Sequence, residues 1–492
     1  MKQVVVGFLV VLAAGGVCLA QTSAHAFPFT LSKETTAIVE PLKADGTVDY
    51  VAAINELYGK GVTAENNGYV IWLRAVGTDS LPMTVRGQTL ALLGVAPGYL
   101  PEKGFDDNGP DDFPEKPWKA GDNAGVATYL AANGKFLDLA VASSQKPAWW
   151  DTASSVDGTV IQVMLPSLNW LRTVSGALCG RALLQAGAGN FDGFLSDVMA
   201  VKRLSRLTTG WTFVSRLVSS GLDRLANDTI AAVVANGSLT SAQCAQLAKA
   251  LDGIAPLPEM TEVFDIGERW EQLDIAATLA MGKLKRGTLG SQELQERLSN
   301  IRPDDLDWNI VLRRMNQQVD AVVAVMKRPK LLDERELEQA LDKSFADIAG
   351  RHNSKSLGKG AGESREAYSN RMADALIVGI SPSMSRAAVT VRAARMRDEM
   401  VRALVAAAWF RAESSHWPGT LNELVPKYLS AVPRDVYSAD AADVVRYIQG
   451  ESGIFIYSVG VNRIDDGGLS NPELKRDDIG EGITPRVGET GL

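Results

Sequence analysis

Two groups of carboxylates near the C-terminus carry the strongest chemical signal in this sequence. The first is Asp465-Asp466-Gly467-Gly468, and the second is Asp477-Asp478. Calcium takes six to eight oxygen ligands at a flexible site, and clustered carboxylates beside glycine turns can supply them. The sequence therefore predicts a hard-cation site here. A solvated acidic tail is the alternative interpretation.

Three other clusters match the patterns of metal-binding, catalytic or carbohydrate-binding sites less well. The segment 106–112 (Asp-Asp-Asn-Gly-Pro-Asp-Asp) lacks the ligand spacing of an EF-hand and its distal Glu, so we interpret it as a solvated loop. Asp265, Glu268 and Glu271 lie close to one helical face, where paired carboxylates can do acid–base work, but such a face is usually exposed to water. The segment 149–151 (Trp-Trp-Asp) could form a platform for carbohydrate stacking, and the preferred interpretation is that its rings fill the core.

The sequence offers no catalytic constellation. After residue 26 the only histidines are His352 and His416, so a zinc site built from several histidines is excluded. The motifs G-x-S-x-G and H-E-x-x-H, the P-loop and the dinucleotide fingerprint do not occur. We therefore assign no catalytic residue and expect a protein that is not an enzyme. The formal net charge of -8 repels phosphate backbones, which argues against nucleic acid as a partner.

The N-terminus predicts export. Lys2 precedes a long apolar run from Val4 to Ala20, and Ala24-His25-Ala26 offers small residues at the two positions that a signal peptidase reads. We expect cleavage after Ala26 and a periplasmic or extracellular protein. An uncleaved run would instead tether the chain to a membrane, and a lipoprotein would use Cys18.

Two cysteines, Cys179 and Cys244, follow the predicted signal peptide. The compartment outside the cytoplasm permits a disulfide. Both residues lie in helical patterns, so buried free thiols and a bridge remain open as interpretations.

Helical periodicity dominates the chain up to about residue 351. Its stripes are separated by short turns, among them Gly187-Ala188-Gly189-Asn190 and Asn236-Gly237, which is typical of a bundle or a solenoid. A long loop rich in Gly, Pro and Asp interrupts it from Pro97 to Asp122. The predicted fold class is therefore mainly α, with a large bundle-like or solenoid-like body.

The C-terminal region has a different pattern. A long helix begins at Ser381-Pro382, and Thr420-Leu421-Asn422-Glu423 is a capping box that opens a short helix. Residues 444–448 and 454–457 then predict a β-hairpin. The predicted domains are a signal peptide (1–26), a helical body (27–351), a linker with a short helix (352–380) and a small α+β domain (381–492).

This C-terminal order resembles the soluble domain of the major pseudopilin of type II secretion. The resemblance covers about a fifth of the chain, and it is carried by His416-Trp417-Pro418-Gly419-Thr420-Leu421-Asn422-Glu423-Leu424-Val425-Pro426, by Tyr428-Leu429-Ser430-Ala431-Val432-Pro433-Arg434-Asp435 and by Ile456-Tyr457-Ser458-Val459-Gly460. The defining N-terminal membrane helix of that family is absent, and the helix before the domain carries several arginines. The domain therefore looks like a borrowed module.

The resemblance implies a calcium loop between Val459 and Ile479. In that loop Asn462 stands where an acidic ligand is expected, and the closing acidic pair of the family matches Asp477 and Asp478. Asp465 and Asp466 are further candidate ligands between them.

These observations predict an exported, non-enzymatic scaffold or interaction protein with a calcium-stabilised pseudopilin-like module. Its expected partners are other envelope proteins, for example those of a secretion or pilus-like apparatus. The alternative is a hydrolase of envelope polymers with its site in the helical body, near the loop from Pro97 to Asp122.

Overall fold

The computed structural model describes residues 27–96, 98–110, 112–285, 298, 301–327, 343, 348, 357–380, 384–438, 440, 442–450, 453–471 and 476–482, with the backbone alone at 380, 384–389, 471, 476, 477 and 481. The chain is mainly helical, as the sequence predicts. The predicted signal peptide and residues 352–356 of the predicted linker lie outside the described residues.

The helices follow one another with few strands between them. Their bounds are Tyr50–Tyr58 (α1), Gly68–Val76 (α2), Met83–Leu92 (α3), Ala124–Ala132 (α4), Gly134–Ser144 (α5), Ser167–Gly187 (α6), Phe191–Leu207 (α7), Phe213–Ala235 (α8), Ser241–Asp252 (α9), Arg269–Ala280 (α10), Trp308–Met326 (α11), Arg365–Ile380 (α12) and Met384–Ser414 (α13). A π-helical turn, Val263–Glu268, leads into α10. None of the described helices is both long enough and apolar enough to cross a bilayer.

Local sequence signals set the ends of these helices. Asn190 caps α7 by accepting a hydrogen bond from the Gly193 amide, and Gly189, at a φ of 77°, supplies the left-handed residue of the α6–α7 turn. Thr240 and Gln243 form a reciprocal capping box at the start of α9. The turns predicted from the sequence at Gly187-Ala188-Gly189-Asn190 and at Asn236-Gly237, where Gly237 has a φ of 69°, are therefore confirmed.

The larger core joins the body to the C-terminal region. Buried apolar residues of α6, α7 and α8 form one cluster with those of α13 and the C-terminal strands, including Leu404, Ile456 and Ile479. The longest helix of the chain, α13, packs mainly against α8 and α9. The module predicted from residue 381 onward therefore shares its hydrophobic core with the helical body.

A second core lies beside the first. It is formed by α1, α10, α11 and α12, with buried side chains such as Tyr50, Trp308 and Leu376. The segment predicted as a linker and short helix thus contains α12, a helix of 16 residues that packs against α11.

A buried charge network fastens α13 to the body. Lys202 on α7 has no exposed surface, and its Nζ contacts carboxylate oxygens of Asp223 on α8 and Asp398 on α13. Arg206 also contacts both carboxylates, and Arg402 pairs with Asp398 at 3.2 Å. Burial raises the pKa of Asp398, but the neighbouring cations, Lys202 first, outweigh it and hold that pKa below its ordinary value.

The C-terminal strands form one small antiparallel sheet with the order β3-β4-β7, from Arg446–Gly450 (β3), Gly453–Ser458 (β4) and Ile479–Gly482 (β7). The β3–β4 register pairs Arg446 with Tyr457, so the predicted hairpin is confirmed. Two-residue ladders also join Ser154–Ser155 (β1) to Val163–Met164 (β2) and Ser470–Asn471 (β5) to Arg476–Asp477 (β6).

Candidate calcium site

The loop that carries the predicted ligands starts where β4 ends, and Asp435 fixes that start. This buried carboxylate accepts hydrogen bonds from the Ser458 hydroxyl at 2.6 Å and from the Val459 amide at 3.0 Å. It also accepts one from the Tyr437 amide at 3.0 Å, which closes the turn after Pro433. Asp435 therefore holds the base of the loop. Asp435 belongs to a stretch that carries the pseudopilin resemblance, but nothing in the sequence pattern indicates that it anchors the loop.

Asp478 is the buried acid of the loop, with 2% of its surface exposed. Its Oδ2 accepts hydrogen bonds from the backbone amides of Asp466 at 3.0 Å and Gly468 at 2.8 Å. Its Oδ1 is buried and has no hydrogen-bond partner among the described residues. Burial, together with the charges of Asp466 and Asp465, raises the pKa of Asp478 to about 6. A buried acceptor without a partner costs free energy unless something positive or hydrogen-bonding reaches it.

Gly468 makes this arrangement possible. Its φ of 81° is in the left-handed region, and a Cβ at this position would lie 2.4 Å from the ring of Phe455. A larger residue would therefore be strained and would clash, so the amide that donates to Asp478 depends on glycine here.

Asp465 and Asp466 lie on the same loop and keep more contact with solvent. Asp465 accepts hydrogen bonds from the Tyr457 hydroxyl at 2.9 Å and from the Gly467 amide at 3.0 Å. Asp466 accepts one from the Asn462 side-chain amide at 2.9 Å. The structure thus brings four of the five predicted ligands into one loop: Asn462, Asp465, Asp466 and Asp478.

The described side chains alone do not complete a calcium site. The side chain of Asp477, the fifth predicted ligand, lies outside the described residues, and Asn462 Oδ1 already accepts from the Ile464 amide at 2.7 Å. Within the described part of the chain, no group of three or more His, Cys, Asp or Glu side chains is arranged to hold a metal ion. Calcium would therefore be held by Asp478, by Asp466 or Asp465, and by main-chain oxygens, which it accepts readily.

The other acidic clusters have distinct environments. The described residues of segment 106–112 are mostly exposed, in agreement with a solvated loop. Asp265 is ion-paired with Arg269 at 2.7 Å. Glu268, however, is only 8% exposed, and burial raises its pKa to about 7. The expectation of an exposed acidic face is wrong for Glu268, which ends the π-helical turn and meets the backbone of Phe213, and for Glu271, which is only partly exposed.

The structure also shows the surroundings of the two cysteines, the tryptophan pair and His416. Cys179 and Cys244 are both buried and free, so they do not form a bridge in this structure. Trp149 and Trp150 pack against the larger core and also line a cavity with Asp151. His416 lies at the end of α13, where its ring meets that of Phe410 edge-on.

No protein-family model, no curated protein and no solved structure matches this chain.

Proposed function

We propose that this chain is an exported, non-enzymatic envelope protein, a scaffold or interaction protein whose C-terminal loop is stabilised by calcium. The observation that carries the proposal is the buried carboxylate of Asp478, whose Oδ1 meets no hydrogen-bond partner in the part of the chain that the structure describes. Bound calcium would supply positive charge at this oxygen and would offset the repulsion among Asp465, Asp466 and Asp478.

The order of the C-terminal elements supports a pseudopilin-like module. The long helix α13 precedes a short 3-10 turn, Leu421–Leu424, which the capping box of Thr420 and Glu423 opens. The three-stranded sheet and the acidic loop follow. On this proposal the partners are envelope proteins of a secretion or pilus-like apparatus, and the N-terminal run directs export.

The arrangement near the long loop gives little support to the alternative of a hydrolase. A cavity of 730 Å³ lies at the end of that loop, beside Trp118 and the α6–α7 turn. Of the described residues that line it, Asp122 alone carries a carboxylate, and this group accepts a hydrogen bond from the Lys119 amide at 2.8 Å. Hydrolysis of a glycan by acid–base chemistry ordinarily needs two carboxylates that face one bond. Glu268 and Glu271 do not line this cavity.

The experiment is an affinity capture from envelope extracts of the source cell, with the whole protein as bait. It is run in calcium, in a calcium chelator, and in calcium with Asp478→Asn. We expect a defined set of envelope proteins in calcium and its loss in the other two arms. Asp107→Asn, in an exposed loop, is the matched control and should behave as the parent protein. Capture that is indifferent to calcium and to Asp478 would contradict the proposal.

A further inference from the structure

An aromatic cavity of 180 Å³ lies where the α5–α6 connection faces the turn between α7 and α8. We use this name for the space lined by Tyr58, Trp149, Trp150, Asp151 and Trp211, with threonines at its edge. Tyr58, Trp149, Trp150 and Asp151 are half-buried, so the residues that line the cavity also reach the protein surface. Four aromatic residues and one acidic residue are therefore among the residues that line a space of about six water molecules, together with apolar residues such as Ile54 and Leu207.

Two asparagines hold the loop that lines the cavity. Asn67 is 1% exposed, and its side chain accepts from the Trp150 amide at 3.0 Å and donates to the Trp150 carbonyl at 2.9 Å. Asn55 makes the same pair of bonds with Ala153, each at 2.8 Å. The segment between these residues is thus fixed at both ends, which is how a preformed binding site is built.

Thr152 lies between the two fixed points and has a φ of 42°. A β-branched residue rarely adopts this left-handed conformation, and such strained residues cluster at functional sites. Its hydroxyl lies 3.2 Å from that of Ser154. Thr152 itself lines the cavity, next to Trp150 and Asp151.

Among the described residues, no cation balances the charge of Asp151. Its Oδ2 accepts from the Ser167 hydroxyl at 2.6 Å. In the described residues no Lys or Arg forms an ion pair with Asp151, and burial raises the pKa of this carboxyl. Glu262, which accepts from the Tyr58 hydroxyl at 3.0 Å, adds negative charge on the far side of Tyr58. Buried Arg216 interacts with Glu262 and Tyr58 and does not line the cavity.

We propose that the aromatic cavity binds a small organic cation of the quaternary ammonium class. Aromatic faces attract a cation through the ring quadrupole, and cages of several rings are the usual sites for quaternary ammonium groups. The carboxylate of Asp151 supplies the charge that such a ligand needs, and the ligand would stabilise that buried charge in return. The small volume admits one compact head group and excludes a drug-sized ligand.

A monosaccharide is the rival occupant, since sugars also stack on tryptophan. The unpaired charge of Asp151 favours the cation, because a neutral sugar would leave that charge uncompensated. This inference is independent of the calcium loop, which lies on another part of the chain.

The test is equilibrium dialysis of the whole protein with labelled choline. Competitors are unlabelled choline, its neutral isostere 3,3-dimethylbutan-1-ol, and glucose. We expect saturable binding of choline, competition by the isostere weaker by about tenfold or more, and none by glucose. Asp151→Asn keeps the shape of the site and should weaken choline binding on the order of tenfold.

Thermal melting of each variant is the control that shows whether it is folded. Tyr58→Leu removes one ring at a half-buried position and should weaken choline several-fold, whereas Tyr99→Leu, at an exposed ring, should not. Absence of choline binding, equal competition by the neutral isostere, binding of glucose instead, or binding unchanged in folded Asp151→Asn and Tyr58→Leu would each overturn the proposal.

Discussion

Lys202 Nζ on α7 lies 2.7 Å from Oδ1 of Asp223 on α8, and neither side chain is exposed to solvent. The same ammonium also contacts Asp398, which lies 196 positions further along the chain on α13. Burying these charges is costly, and their mutual attraction repays the cost only while all the partners are present. The network therefore makes the position of α13 sensitive to a single substitution.

Replacing Lys202 by Met should lower the free energy of unfolding by about 3–5 kcal/mol, because it leaves buried carboxylates without their central partner. Urea unfolding followed by circular dichroism measures this change. Lys249→Met is the matched control, since Lys249 is exposed on α9, and its effect should stay within about 0.5 kcal/mol. A loss for Lys202→Met no larger than that of the control would show that the network does not stabilise the fold.

The second prediction concerns Asn67, which caps α2 through the Tyr69 amide and also holds both backbone groups of Trp150. Asn67→Ala should cost about 2–4 kcal/mol, since it removes a helix cap and leaves buried polar groups unsatisfied. Asn108→Ala, in an exposed loop, serves as the control in the same urea titration. A cost below about 1 kcal/mol for Asn67→Ala would mean that the loop is held by other contacts.

Features that depend on neighbours in sequence were predictable. The capping boxes at Thr240 and Thr420 and the hairpin register of β3 and β4 all arise within a few residues, so periodicity and turn chemistry identify them. The mainly helical class follows from the same signals. The clustering of Asn462, Asp465 and Asp466 is likewise local.

Features that depend on distant partners were not predictable from the pattern. Lys202 looks like any charged residue of an amphipathic helix, and only the packing of α13 shows that it is buried. Asn55 and Asn67 hold a loop by hydrogen bonds because that loop, more than eighty residues away in the sequence, packs against them. Glu268 belongs to a π-helical turn, whose extra residue rotates the face that a regular helical period would expose.

The third prediction is calcium-dependent stability of the whole protein. Calcium at a hundredfold excess over its dissociation constant should stabilise the folded state by about 3 kcal/mol, because it binds only that state. Asp478→Asn keeps an acceptor for the Gly468 and Asp466 amides but removes the charge, so the shift should disappear. Thermal melting in calcium and in chelator measures it, and magnesium should substitute poorly.

Asp107→Asn is the control for the calcium melts and should retain the full shift. Asp477→Asn tests the fifth predicted ligand and should reduce the shift if its side chain reaches the ion. The intact protein is needed because α13 shares the larger core with α8 and α9. An unchanged melting temperature on adding calcium would rule out the site.

The fourth prediction concerns export. Cleavage after Ala26 should give an envelope-localised protein whose N-terminal sequence begins at Phe27. Ala26→Leu should block cleavage, because a signal peptidase needs a small residue there, and the chain should then remain larger by the signal peptide. N-terminal sequencing and mass spectrometry of the fractionated protein measure both the cleavage position and the retention of the signal peptide. If the unsubstituted protein is recovered only with its N-terminal apolar run still attached, that run is a membrane tether.

The last prediction is a change in the pH dependence of stability on replacing Glu268. Burial raises the pKa of this carboxyl from 4.5 to about 7 in the folded state. Below pH 4.5 the group is protonated in both states and costs nothing. As the pH rises from 4.5 to 7 the unfolded chain ionises first, so stability falls, and above pH 7 the full cost of about 3 kcal/mol is present.

Glu268→Gln should therefore stabilise the protein at pH 8 and leave it nearly unchanged at pH 4.5. The gain should stay below the full 3 kcal/mol. Some pH dependence should remain, since burial is the main cause that raises the pKa of Glu271 to about 8, and burial and the Asp274 charge persist in the variant. Urea titrations at both pH values measure the change, with Glu56→Gln on the exposed face of α1 as the control. An equal effect of Glu268→Gln at the two pH values would show that this carboxyl does not ionise at a cost in the folded state.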